Sequence, residues 1–128
     1  MTNRAREAAI RDKIALQLSN AAADYVSTEY RIPLNSDRGS RRRSRSMDVY
    51  VQHNSVKYII EVKHCKVYFT GIGQLQAYQA LQCKDCKLVL VLYGTPAELR
   101  QYEAECRKVL KHLESTYKLK IVLMTEEG

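Results

Sequence analysis

The chain has 128 residues, with 21 Lys and Arg against 14 Asp and Glu, a net charge of +7 and a pI near 9.3. A composition that is 45% hydrophobic with only 5 Gly and 2 Pro excludes a wholly disordered chain, and no stretch approaches the roughly 20 apolar residues of a membrane-spanning helix. The first twenty residues mix Arg, Glu, Asp and Lys without an apolar run, which argues against a secretory leader. The expectation is a soluble, intracellular (cytoplasmic) single domain over residues 1–128. Its positive charge points to a polyanionic partner, nucleic acid or an acidic membrane surface.

In chain order, Ile10, Ile14, Leu18, Ala21 and Tyr25 recur at helical spacing and predict an amphipathic helix over about residues 4–28. "EYRIPLN" reads as a short strand stopped by Pro33. Residues 35–46, "NSDRGSRRRSRS", place five Arg among Ser, Gly and Asp and read as a flexible basic loop. "SMDVYVQ" and "SVKYIIEVKHC" both alternate and flank Asn54, which predicts a β-hairpin. "GIGQLQAYQALQ" reads as a helix, and "KLVLVLYG" as a central strand covered on both faces. Thr95, Pro96 and Glu98 supply an N-cap, a proline at the first helical position and a capping-box partner. The helix that they open carries Leu99, Tyr102, Cys106, Leu110, Leu113 and Tyr117 on one face, and "KLKIVLM" closes the chain as a strand. The order αβββαβαβ predicts a three-layer α/β/α sandwich around a mixed sheet.

The hairpin carries the chemistry. With Asn54 and Ser55 at its turn, paired positions sum to 109, so Val49 faces Ile60, Val51 faces Tyr58 and Asp48 faces Glu61. Lys63 shares their side of the strand because strand side chains repeat every two residues. Opposed carboxylates on a sheet repel, and a hard divalent cation offsets that repulsion.

Asp48, a thirteen-residue step, then Glu61-Val62-Lys63 is similar to the PD-(D/E)XK nuclease superfamily. Gln74 and Tyr78 in "GIGQLQAY" resemble the Q-x-x-x-Y element of its RecB-like branch. The element order also matches the αβββαβ core of these restriction-endonuclease-like proteins, with a helix and strand added. Two features depart from the pattern. Met47 stands where many members have Pro, and the cysteine set of the iron–sulfur relatives is absent.

The resemblance implies a Mg²⁺-dependent deoxyribonuclease, with Mn²⁺ as a substitute. Asp48, Glu61 and the Val62 carbonyl would hold the metal, Lys63 would stabilise developing charge, and Gln74 and Tyr78 would position phosphate and water. Many relatives add an acid on the first helix, and Glu7, in line with Ile14, Leu18 and Tyr25, is the candidate. Arg38, Arg41, Arg42, Arg43 and Arg45 would bind phosphates of DNA, with RNA an alternative partner. A junction-resolving, dimeric endonuclease of the same fold and a non-catalytic nucleic-acid-binding module are the competing readings.

Cys83 and Cys86 form a C-x-x-C without a second pair, which favours a helix-end or disulfide role over zinc. The four cysteines do not make a secreted framework, so a reducing compartment is expected. His53, His64 and His112 show no ligand spacing and are assigned no role.

Overall fold

The computed structural model describes residues 3–21, 23–33, 44–82 and 85–126, leaving aside the side chains of residues 3, 29–33, 44–47, 82, 105 and 106. Its elements are α1 (Asn3–Asn20), β1 (Tyr25–Pro33), β2 (Ser44–His53), β3 (Val56–His64), a 3₁₀ turn (Cys65–Val67), α2 (Tyr68–Gln82), β4 (Lys87–Gly94), α3 (Pro96–Tyr117) and β5 (Leu119–Thr125). The five strands form one sheet in the order β1-β2-β3-β4-β5, with β1, β2 and β3 antiparallel and β3, β4 and β5 parallel. The chain is therefore an α/β protein with a mixed sheet between two helical layers, as the element order predicts.

Each face of the sheet has its own core. On one, Ile10 and Ile14 of α1 pack on Val49, Val51, Ile60, Val62, Val91 and Tyr93. On the other, Ile72, Leu75 and Tyr78 of α2 and Leu99, Leu110 and Leu113 of α3 pack on Tyr50, Ile59, Leu88, Leu90 and Leu92. Strand alternation divides β3 between them, Ile60 and Val62 towards α1, Ile59 and Glu61 towards α2. The α2 face, which carries the carboxylates, is thus as deeply covered as the purely apolar one.

The hairpin register is the expected one, with Val49 across from Ile60, Val51 from Tyr58 and His53 from Val56. Asn54 and Ser55 take φ of 50° and 67° at the turn, the left-handed pair that matches the twist of a tight hairpin. The capping box at α3 is also formed, Thr95 Oγ1 accepting from the Glu98 N–H at 3.2 Å and the Thr95 N–H donating to Glu98 Oε1 at 3.0 Å.

Three expectations need correction. The first helix stops at Asn20, and Tyr25 opens β1. Tyr25 to Thr28 include β-branched Val26 and Thr28, and pairing with Gln52 to Val49 of β2 wins over the weak helical rhythm. The Asp24 N–H also donates to the Gln52 carbonyl at 2.9 Å, so the chain is already committed to the sheet there. β2 begins at Ser44, which puts Arg45 in a strand, across from Ile32, rather than in the loop. Tyr117, expected on the core stripe of α3, is 40% exposed because the helix ends there, with Lys118 in the left-handed conformation at φ 52°. Arg38, Arg41, Arg42 and Arg43 lie outside the described residues, as does Cys83, and the Cys106 side chain is among those left aside. Cys86 is disulfide-bonded, which agrees with the reading of its motif as a disulfide rather than a zinc ligand pair.

Ser55 is the non-glycine residue with the larger positive φ in the turn. Ser55→Gly should raise stability by about 0.5–1 kcal/mol by relieving left-handed strain. In urea unfolding, the midpoint should rise with an unchanged m-value.

Candidate active site

Glu61 is the buried charged residue of the described core, 2% exposed. Two interior-facing groups meet it. The Tyr78 hydroxyl of α2 donates to its carboxyl, and Asp48 of β2 shares a hydrogen bond with it. Burial first, and then the bond to and charge of Asp48, push the Glu61 pKa up to about 10, against the opposing pull of Lys63 and Tyr78. Glu61 is therefore protonated at neutral pH and its proton is shared with Asp48.

Asp48 is half-buried and does a second job. The β2–β3 ladder runs to Val49 and Ile60, and one step beyond it the Val62 N–H donates to Asp48 Oδ2 at 2.8 Å. A side-chain carboxyl thus continues the link between the two strands one step beyond the point where their main-chain pairing stops.

Lys63, on the same face of β3 as Glu61, is half-buried under the first turn of α2. Gln74, one turn before Tyr78 on α2, has a buried Oε1 without a hydrogen-bond partner, and so does Glu61 at Oε2. Glu7 of α1 approaches from the other helical layer. Its pKa is raised, chiefly by burial and also by the charge of Asp48, while Lys63 and His64 act against the rise. The structure accordingly gathers Asp48, Lys63 and Tyr78 around Glu61, and brings Glu7 within electrostatic reach of Asp48 and Lys63. Arg45 is at the start of β2, three residues before Asp48 and paired with Ile32 of β1.

An unpartnered buried carboxyl oxygen on Glu61, in a pair with Asp48, is what a hard cation would satisfy. Among the described residues no group of three or more His, Cys, Asp and Glu side chains is gathered for a metal. An ion here would rest on the Asp48 and Glu61 carboxylates, the Val62 carbonyl and water. Such a sparse protein set suits Mg²⁺, which keeps several of its waters.

Sequence reasoning missed a polar cluster next to this one. His64 Nε2 lies 3.0 Å from Glu98 Oε2, and its Nδ1 accepts the Lys66 N–H at 3.2 Å, which leaves Nε2 as the protonated nitrogen of the neutral ring. Its ring meets Tyr93 edge-on at 5.3 Å. Arg6 Nε donates to Glu126 Oε1 at 2.7 Å, its guanidinium sits 5.6 Å from the Tyr93 ring centroid, and Nη2 lies 3.9 Å from Glu98. Glu98 was legible only as a helix cap. Its Oε2 faces His64 of β3 and Lys66 of the 3₁₀ turn, while Oε1, which accepts from the Thr95 N–H, faces Arg6 of α1, and hydrogen bonding from Thr95 holds its pKa below the usual carboxylate range.

No family model matches the chain, and no curated protein matches it. Among solved structures the chain is similar to protein VC1899 from Vibrio cholerae, with a TM-score of 0.55 and 12% sequence identity over 91% of this chain and 29% of that one. The likeness is one of fold. This chain spans less than a third of that protein's length.

The raised pKa makes a stability prediction. A carboxyl raised from 4.5 to about 10 contributes stability that is fully present below pH 4.5 and is lost as pH rises towards 10. Glu61→Gln, which mimics the protonated group, should not lose it. From acid to neutral pH the wild type should fall relative to the variant by up to about 3 kcal/mol, as measured by denaturant unfolding at the two pH values.

Proposed function

We propose that this protein is a metal-dependent nuclease that hydrolyses phosphodiester bonds of DNA. The observation that carries the proposal is the convergence, on one face of the hairpin, of Asp48, a buried Glu61 with an unpaired oxygen, and Lys63. A structural salt bridge explains this arrangement poorly. Glu61 is held protonated at a cost, in a core that an apolar residue would fill without one.

Asp48, Glu61 and the Val62 carbonyl would hold Mg²⁺, or Mn²⁺ in its place, and the metal would polarise the scissile phosphate and acidify water. The chain's own groups do the rest. In the hydrolysis a water oxygen bonds to phosphorus, the ester P–O bond breaks and a proton passes to the leaving oxygen. The Lys63 ammonium neutralises the extra negative charge that the phosphoryl oxygens carry at the transition state. The Tyr78 hydroxyl donates a hydrogen bond to Glu61 and would stabilise its carboxylate once a metal displaces the proton. The Gln74 side chain, on the same face of α2, offers its amide to phosphate or to an ordered water. Glu7 adds a carboxylate from α1 whose charge balances Lys63.

Binding energy is assigned to the net charge of +7 and to Arg38, Arg41, Arg42, Arg43 and Arg45. Interactions of that kind are with phosphate, independent of sequence and weakened by salt.

The test is incubation of the protein with end-labelled single-stranded, duplex and four-way-junction DNA and with RNA, in Mg²⁺ or in EDTA. Cleavage should need Mg²⁺. Lys63→Ala and Asp48→Asn should each lower it by about a hundredfold or more while DNA binding persists. Equal cleavage by wild type and Lys63→Ala would sink the proposal. In a second measurement, replacing the Arg-rich segment should reduce the salt slope of duplex binding by about 0.9 for each phosphate that is no longer neutralised.

A further inference from the structure

Two glycines stand inside α2, where glycine is among the least favourable residues, and only one of them is required by packing. A Cβ added at Gly73 would meet nothing within 4 Å. At Gly71 it would lie 2.5 Å from Leu90 Cδ1, 3.0 Å from Lys63 Cγ and 3.6 Å from Lys63 Cβ. Leu90 is fully buried, so its methyl cannot simply turn away.

The second neighbour is the informative one. The stem of Lys63 lies under the bare backbone of α2, so two of its methylene carbons are confined between the helix and the sheet. Gly71 shares a helical stripe with Gln74 and Tyr78, at i, i+3 and i+7. The distance at which the first turn of α2 settles on the sheet therefore sets two things at once: the path of the Lys63 side chain and the depth at which Gln74 and Tyr78 sit over Glu61. In the register Glu61 pairs with Leu90 and Lys63 with Leu92, so Gly71 sits above the column that links the two charged residues.

We infer that Gly71 is a positioning residue: its missing side chain lets α2 clamp the Lys63 stem in one conformation and present the ammonium to the Asp48–Glu61 pair. The inference rests on the nuclease reading for what Lys63 does there. It does not depend on that reading for the clamp itself.

The experiment compares the wild type with Gly71→Ala, Gly73→Ala and the double variant Gly71→Ala/Leu90→Val. Gly73→Ala should keep kcat and melt no lower than the wild type. Gly71→Ala should melt lower and lose about ten- to a hundredfold in kcat on cleavable DNA, with KM little changed, because a displacement of about 1 Å at a reacting group has effects of that size. Adding Leu90→Val removes the clashing methyl carbon but leaves the clash with Lys63. The double variant should therefore recover its melting temperature and not its kcat.

Recovery of kcat together with melting temperature would reduce Gly71 to a packing residue and overturn the inference, as would an unchanged kcat in Gly71→Ala. If the wild type cleaves nothing, the nuclease reading fails, and the clamp is then judged by NMR of the Lys63 methylene protons. Separate Hβ and Hγ resonances in the wild type that merge in Gly71→Ala would uphold it. Merged resonances in the wild type would end it.

Discussion

Everything around the candidate site follows from burying one carboxyl. Glu61 sits in the middle of a strand whose neighbours on both faces are core residues, and its 2% exposure means that no solvent compensates its charge. The structure meets the cost in three ways: the proton stays on the group, Asp48 shares it, and Tyr78 donates a hydrogen bond. One oxygen is still left unpaired. A fold selected for stability alone would place an aliphatic side chain at that position.

The two-layer cover explains why so much apolar sequence surrounds polar chemistry. The α1 core and the α2–α3 core each seal one face of the same strands, and the polar groups sit where the helices begin or end. Asp48 lies where the β2–β3 ladder stops, Lys63 one residue before the end of β3, and Glu7 in the second turn of α1. The C-terminal ends of parallel strands leave main-chain groups and side chains free to meet a ligand, because the helices that follow turn away from the sheet there.

Most of the fold was legible because its signals are local. The apolar β-branched run of "KLVLVLYG", the capping box at Thr95 and the alternation on either side of Asn54 each act through neighbours in the chain, and all three elements formed where expected. The hairpin register was legible for the same reason, since a one-step slip would have moved Val49 and Ile60 out of the core. The end of α1 was not, because the alanines at 21–23 favour helix while Tyr25 to Thr28 favour strand, and the decision belongs to pairing with β2, more than twenty residues on. The grouping of Asp48, Glu61 and Lys63 could be read from the hairpin alone. The depth of Glu61, the approach of Gly71 to Lys63 and the joint held by Glu98 depend on how helices settle on the sheet, and no spacing rule encodes that.

The clasp between Arg6 and Glu126 joins residues separated by 120 positions, and Arg6 is the immediate neighbour of Glu7. A growing polypeptide emerging from the ribosome can build the hairpin and α2 early, but this clasp cannot close until β5 and the residue after it have been made. Peptide bonds formed late in synthesis thus complete the seating of a side chain made early. A nascent chain would carry the acid pair well before its helix-borne partner is fastened in place.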